Sequence, residues 1–176
     1  MDKPVHRWRQ QQARGEVYIV RYADDGVIGF EHHEDALALK AELEHTLQAY
    51  GLSLNEAKTR LLRFGRHYPA RGSGRSETFD FLGLTHIAGR DRKGRYLVKR
   101  KTARSRIKRS LERVKRWCQR HRHEPLAWQH KELSSKLRGH YAYYGIRGNL
   151  DSLARFRSRV WSLWRQNLRR RSQTSR

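Results

Sequence analysis

The sequence predicts an α+β chain in which a small strand-and-helix part precedes a basic three-helix part. Before residue 100, short runs of β-branched and aromatic residues are separated by turn formers, as strands require. Past Lys101 the apolar residues recur at spacings of 3 and 4, the period of amphipathic helices. Charge divides at the same place: residues 1–100 hold 18 Lys+Arg and 13 Asp+Glu, whereas residues 101–176 hold 22 and 4.

Residues 1–15 are polar and basic without periodicity and read as a disordered or truncated start. Val17-Tyr18-Ile19-Val20-Arg21-Tyr22 and Val27-Ile28-Gly29-Phe30 flank Ala23-Asp24-Asp25-Gly26, and the expected element is a hairpin with strands 16–22 and 26–31 and the aspartates at its tip. Glu34 to Tyr50 reads as a helix, with Ala36, Leu39, Leu43, Leu47 and Tyr50 on one face and Gly51 as its terminator. Leu52-Ser53-Leu54 alternates, Thr59 to Phe64 is a short strand candidate, and 67–77 is a loop rich in glycine and proline. Phe79 to Leu84, a charged turn at Arg90 to Gly94 and Tyr96-Leu97-Val98 predict a hairpin region over 78–100. Three helices follow, on Ile107, Leu111, Val114 and Cys118; on Leu126, Leu133, Leu137, Tyr141 and Tyr144; and on Leu153, Phe156, Val160 and Trp164, with the break at His121 to Pro125.

A net charge of +23 on 176 residues favours a polyanionic partner, nucleic acid before an anionic membrane surface. One cysteine, Cys118, excludes an intrachain disulfide and a multi-cysteine zinc site. No apolar run reaches the roughly 18 residues of a membrane span, and no apolar stretch follows the basic start as in a secretory signal. The expected location is therefore cytoplasmic and nucleic-acid-associated.

Three segments carry chemistry. Asp24 and Asp25 at a hairpin tip would repel each other without a cation between them, and a hard ion such as Mg²⁺, with Mn²⁺ as an alternative, suits paired carboxylates and substrate phosphates. A solvated Asp-Asp turn is the structural alternative. Lys58, in Leu54-Asn55-Glu56-Ala57-Lys58-Thr59, can neutralise or protonate a leaving pyrophosphate, or be a plain surface lysine. Phe79-Asp80-Phe81-Leu82-Gly83-Leu84 can grip a nucleic-acid end through its aromatics, or simply pack a core. His32-His33 and His121-Arg122-His123 lack metal-ligand partners at usable spacing. The tryptophans read mostly as core of the helical part.

In order, Tyr22-Ala23-Asp24-Asp25, the Leu-Asn-x-x-Lys-Thr loop, Phe-x-Phe-Leu-Gly and a basic helical region with Arg138-Gly139-His140-Tyr141-Ala142-Tyr143-Tyr144-Gly145 resemble the palm and thumb of a reverse transcriptase, most closely the bacterial group II intron reverse transcriptase/maturases. The resemblance runs from about Tyr18 to about Gln173. It implies a partial polymerase palm over 16–66, a primer-grip hairpin over 78–100 and a basic thumb/maturase region over 101–176. It implies Mg²⁺ at Asp24 and Asp25, Tyr22 and Ala23 near the primer terminus, and Lys58 assisting pyrophosphate departure. Phe81, Leu82 and Gly83 fall in the primer grip. Lys101, Arg104, Lys108, Arg138 and Tyr141 are the nucleic-acid-binding residues expected of the thumb. Gly26 departs from the family, which often has a larger residue there.

The implied partners are intron RNA, a DNA primer or target and deoxynucleotides. The family's chemistry needs a further aspartate and fingers from before the hairpin; the acids preceding Tyr22 are Asp2 and Glu16, without the family's surrounding pattern. The expectation is a C-terminal portion that does not polymerise alone, a second chain being one source of the remainder. An RNA-binding maturase-like module and an inactive remnant of a mobile element are the alternatives.

Overall fold

The computed structural model describes residues 2–23, 25–66 and 77–171. The chain divides into two units, residues 1–63 and 64–176.

In the first unit, α1 (Asp2–Gln11) leads into a hairpin of β1 (Val17–Tyr22) and β2 (Asp25–Phe30), followed by α2 (His33–Ala49). The disordered start expected for residues 1–15 is instead largely α1. Its Val5 and Trp8, three residues apart and so on one face, are buried against Val17 and Leu39. Two buried side chains in an otherwise polar segment are too few to reveal a period, but enough to dock one short helix. The hairpin is antiparallel, with Val17 opposite Phe30 and Ile19 opposite Ile28. These four side chains form the inner face, and Phe30 meets the Trp8 ring edge-on at 6.3 Å. Buried Asp35, in the first turn of α2, accepts the backbone N–H groups of Arg14 (2.9 Å) and Gly15 (3.2 Å), which fixes the chain's entry into β1.

Gly51 ends α2 as expected. It has φ +68°, Leu52 N–H donates to the Leu47 carbonyl and Gly51 N–H to that of Gln48, so two of the helix's last carbonyls are satisfied. Tyr50 is exposed rather than on the buried face. Thr59 to Phe64 forms no strand: among the described residues it pairs with no other strand, and Leu61 is exposed.

The second unit opens with a three-stranded antiparallel meander of β3 (Thr78–Phe81), β4 (Leu84–Arg90) and β5 (Tyr96–Thr102). Three helices follow: α3 (Arg104–Arg120), α4 (Leu126–Tyr144) and α5 (Leu150–Arg169). Their shared core is Val114 and Cys118 from α3, Leu133 from α4, and Phe156, Val160 and Trp164 from α5. Leu126 lies outside this core and is exposed, as is Trp161, and Trp8 belongs to the first unit; of the four tryptophans in this unit only Trp164 is buried.

Two buried polar residues hold the unit's turns. Asn149, fully buried before α5, accepts Thr102 N–H (2.9 Å) and donates to Thr102 Oγ1 (2.8 Å) and the Tyr144 carbonyl (2.8 Å). The end of β5 is thereby tied to the α4–α5 turn. Gln129 accepts the Trp164 indole N–H (2.7 Å) and donates to the carbonyls of Arg122 and Glu124, which Arg171 also engages. A break in the helical pattern thus becomes a defined corner.

Candidate active site and nucleic-acid interface

The first cluster is the β1–β2 tip. Tyr22 pairs with Asp25, so Asp25 opens β2 rather than lying in the loop as expected. Asp24 itself lies outside the described residues. Two-residue hairpin loops favour positive φ at the first loop position because the turn then matches the strand twist. Ala23 has φ +51°, a conformation that costs a non-glycine residue about 1 kcal/mol and that the flanking ladder enforces.

Register settles which side chains share a face. Tyr18, Val20 and Tyr22 alternate with the inward Val17 and Ile19, and across the ladder Val27 and Asp25 join the same outward face. That face is open: Tyr18 is 66%, Val20 54% and Tyr22 66% exposed. The Asp25 carboxylate therefore stands beside a phenol at the end of an exposed apolar strip, while α1 and α2 back the other face. Gly26 lies opposite Arg21, and an added Cβ would meet nothing closer than 3.9 Å, so a larger residue fits there.

An exposed carboxylate at a strand end suits a hard cation, which typically takes one or two protein carboxylates together with substrate phosphates. Among the described residues no three His, Cys, Asp or Glu side chains converge as a ready-made metal cage. Lys58 sits exposed in the turn after α2, its backbone N–H donating to the Asn55 carbonyl (3.0 Å).

The second cluster is the β3–β4 turn. Leu82 (φ +50°) and Gly83 (φ +75°) are its two central residues, between the paired Phe81 and Leu84. Their carbonyls are engaged within the unit: Tyr143 Oη donates to Leu82 O (3.1 Å) and Ala103 N–H to Gly83 O (2.9 Å). A Cβ at Gly83 would lie 2.9 Å from Tyr144 Oη. The Leu-Gly dipeptide is therefore a docking point for the ends of α3 and α4, a role legible only once Tyr143 and Tyr144 are placed beside it. Phe79 stacks on His86 of the neighbouring strand (4.8 Å, 6° between planes) and meets Phe64, outside the sheet, edge-on (5.0 Å), so its ring packs within the protein.

The third cluster is the cationic surface. Lys101 on β5 and Arg104, Lys108 and Arg138 on the helices are exposed, and Tyr141 is half-buried. On α3 an exposed row escaped the sequence reading: Arg106, Arg109, Arg113, Arg116 and Arg120 recur at spacings of 3, 4, 3 and 4, a single stripe beside the core-facing one. The apolar period masked it, because the two stripes share a spacing and differ only in phase. At the end of this helix Trp117, His121 and Trp128 cluster, with Trp117 and Trp128 stacked at 5.8 Å and Lys136 lying 5.4 Å over Trp117.

Burial without a counter-charge holds His140 below its ordinary value, and burial likewise pushes the Cys118 thiol up to about 11. No described helix is long and apolar enough to cross a membrane. Among curated proteins none matches the chain. Residues 1–86, from α1 through the β1–β2 tip to the β3–β4 turn, match the reverse transcriptase (RNA-dependent DNA polymerase) family, which supports a reverse-transcriptase-like function.

Proposed function

We propose that the chain serves RNA-directed DNA synthesis as a reverse transcriptase/maturase of the group II intron type, with the β1–β2 hairpin in a polymerase palm and the α3–α5 bundle as thumb. The observation that carries the reading is the hairpin tip, where Tyr22 pairs with Asp25 on an open face within the segment matched to reverse transcriptases.

Asp24 and Asp25 would hold a divalent cation through their carboxylate oxygens, and Mg²⁺ bound there would supply Lewis-acid activation of the primer 3′-hydroxyl and charge neutralisation for phosphoryl transfer. Tyr22 borders the primer terminus through its exposed ring. Lys58 meets the departing pyrophosphate. Lys101, Arg104, Lys108 and Arg138 contact backbone phosphates, Tyr141 packs beside them, and the turn at Phe81, Leu82 and Gly83 sets where the primer strand lies. Intron RNA and a DNA primer or target are the polyanions, and a bacterial cytoplasm is the setting.

A second reading, an RNA-binding maturase module without DNA synthesis, is favoured by the net +18 of residues 101–176. Binding to an RNA template–DNA primer hybrid separates the two. On the polymerase reading, affinity rises when Mn²⁺ and a complementary deoxynucleotide are added, and Asp24→Asn/Asp25→Asn abolishes the rise. On the module reading neither addition matters. Both readings require log K to fall steeply with log salt, by about 0.9 per phosphate contact, and Lys101→Gln/Arg104→Gln/Lys108→Gln to flatten that slope by about 2 to 3. A slope unchanged in the triple variant contradicts the assignment of these three residues.

A further inference from the structure

Resting on the nucleic-acid-binding reading above, we propose that the groove between α3 and α4 is a single-stranded RNA site that takes one unpaired base between an apolar floor and the α3 arginine stripe. The groove has a volume of about 560 Å³. Its floor is Val114, Leu133, Leu137 and Phe156, and its rim carries Arg113, Arg116, Arg120 and Lys136. An apolar slot rimmed on both helices by cations fits a flat, uncharged ring with anionic groups on either side, which is the chemistry of a nucleotide within a strand.

His140 also lines the groove, its ring stacked on Phe156 at 3.9 Å. Two further observations point to the same ligand. Trp117 also lines the groove, with Lys136 over its ring. The stripe from Arg106 to Arg120 runs about 21 Å at 1.5 Å per residue, long enough to follow several phosphates of an extended strand. Its one acidic neighbour on α3 is Glu112, in an exposed pair with Arg116 at 3.6 Å. A perfectly paired duplex presents no free base to the slot, so the site selects unpaired RNA.

The test uses the full chain and fluorescein-labelled RNA of about 12 nucleotides, single-stranded or annealed to its complement, read by anisotropy. Ser110 lines the groove and carries no charge, so Ser110→Phe plugs the slot and spares the cations. It is expected to weaken single-strand binding about tenfold, leaving duplex binding and the salt slope unchanged. Ser110→Met serves as a smaller plug if the phenylalanine variant does not fold. Arg113→Gln/Arg116→Gln/Arg120→Gln is expected to lower the single-strand salt slope by about 2 to 3. The charge-matched Arg155→Gln/Arg159→Gln/Arg165→Gln on α5 should lower it by less than about 1. Wild-type single-strand affinity in a folded plug variant overturns the groove, as does equal loss in the two triple variants. Failure of the wild-type chain to bind any nucleic acid would instead overturn the underlying reading.

Discussion

Replacing Asn149 by alanine tests how the second unit is held together. The side chain is fully buried and makes three hydrogen bonds, two of them to Thr102, 47 residues away in sequence. Alanine removes all three and leaves the buried Thr102 N–H without its acceptor. At about 1 kcal/mol net per bond, plus about 1–3 kcal/mol for a buried donor left unpaired, the expected loss is roughly 4–6 kcal/mol. Asn167 is the control. It is also buried, but its amide donates to the Leu163 carbonyl of its own helix at 2.8 Å and its Oδ1 has no partner among the described residues. Asn167→Ala removes a local bond and an unmatched acceptor together, so its cost should stay near or below about 1 kcal/mol. Denaturant unfolding followed by tryptophan fluorescence reads both variants, since four of the five tryptophans lie in this unit. Losses that agree within about 0.5 kcal/mol would refute the reasoning, because bond count and sequence separation would then not matter.

Gly83→Ala should destabilise the unit by about 1–3 kcal/mol, from the positive φ and the approach to Tyr144 Oη. Tyr144→Phe should relieve the steric part alone, and a double-mutant cycle in denaturant reads the coupling. Burial holds the His140 pKa below its ordinary value. The native chain then takes up a proton less readily than the unfolded chain, so stability is full above about pH 6.5 and declines as pH falls below it. The decline should be shallower in His140→Phe, as midpoints from about pH 8 down to about pH 5 would reveal. Cys118, buried with its thiol raised to about 11, should resist a thiol reagent at neutral pH until denaturant is added; rapid labelling of the native chain would contradict that burial.

What the sequence made legible follows the strength of its local signals. The three basic helices carry four or more apolar residues at helical spacing, and their core faces came out largely as read, with Val114, Leu133, Phe156 and Trp164 packed together. The α2 terminus was legible because Gly51 has one local job. The tip of the first hairpin was legible in kind but not in register: Asp25 belongs to the ladder, which only pairing with Tyr22 decides. Helix α1 was missed because Val5 and Trp8 are its sole described anchors, and their partners Val17 and Leu39 come later in the chain. Thr59 to Phe64 had strand composition but, among the described residues, no strand to pair with. Asn149, Gln129 and Asp35 escaped notice because a buried polar residue looks like any surface one until its distant partners are known.

The most direct measurement of the central claim is Mn²⁺ binding by electron paramagnetic resonance, with primer–template and deoxynucleotide present. If Asp24 and Asp25 hold the cation, free Mn²⁺ signal falls on adding the wild-type chain and is restored by Asp24→Asn/Asp25→Asn, with nucleic-acid binding retained. Equal Mn²⁺ uptake by both chains would contradict the claim.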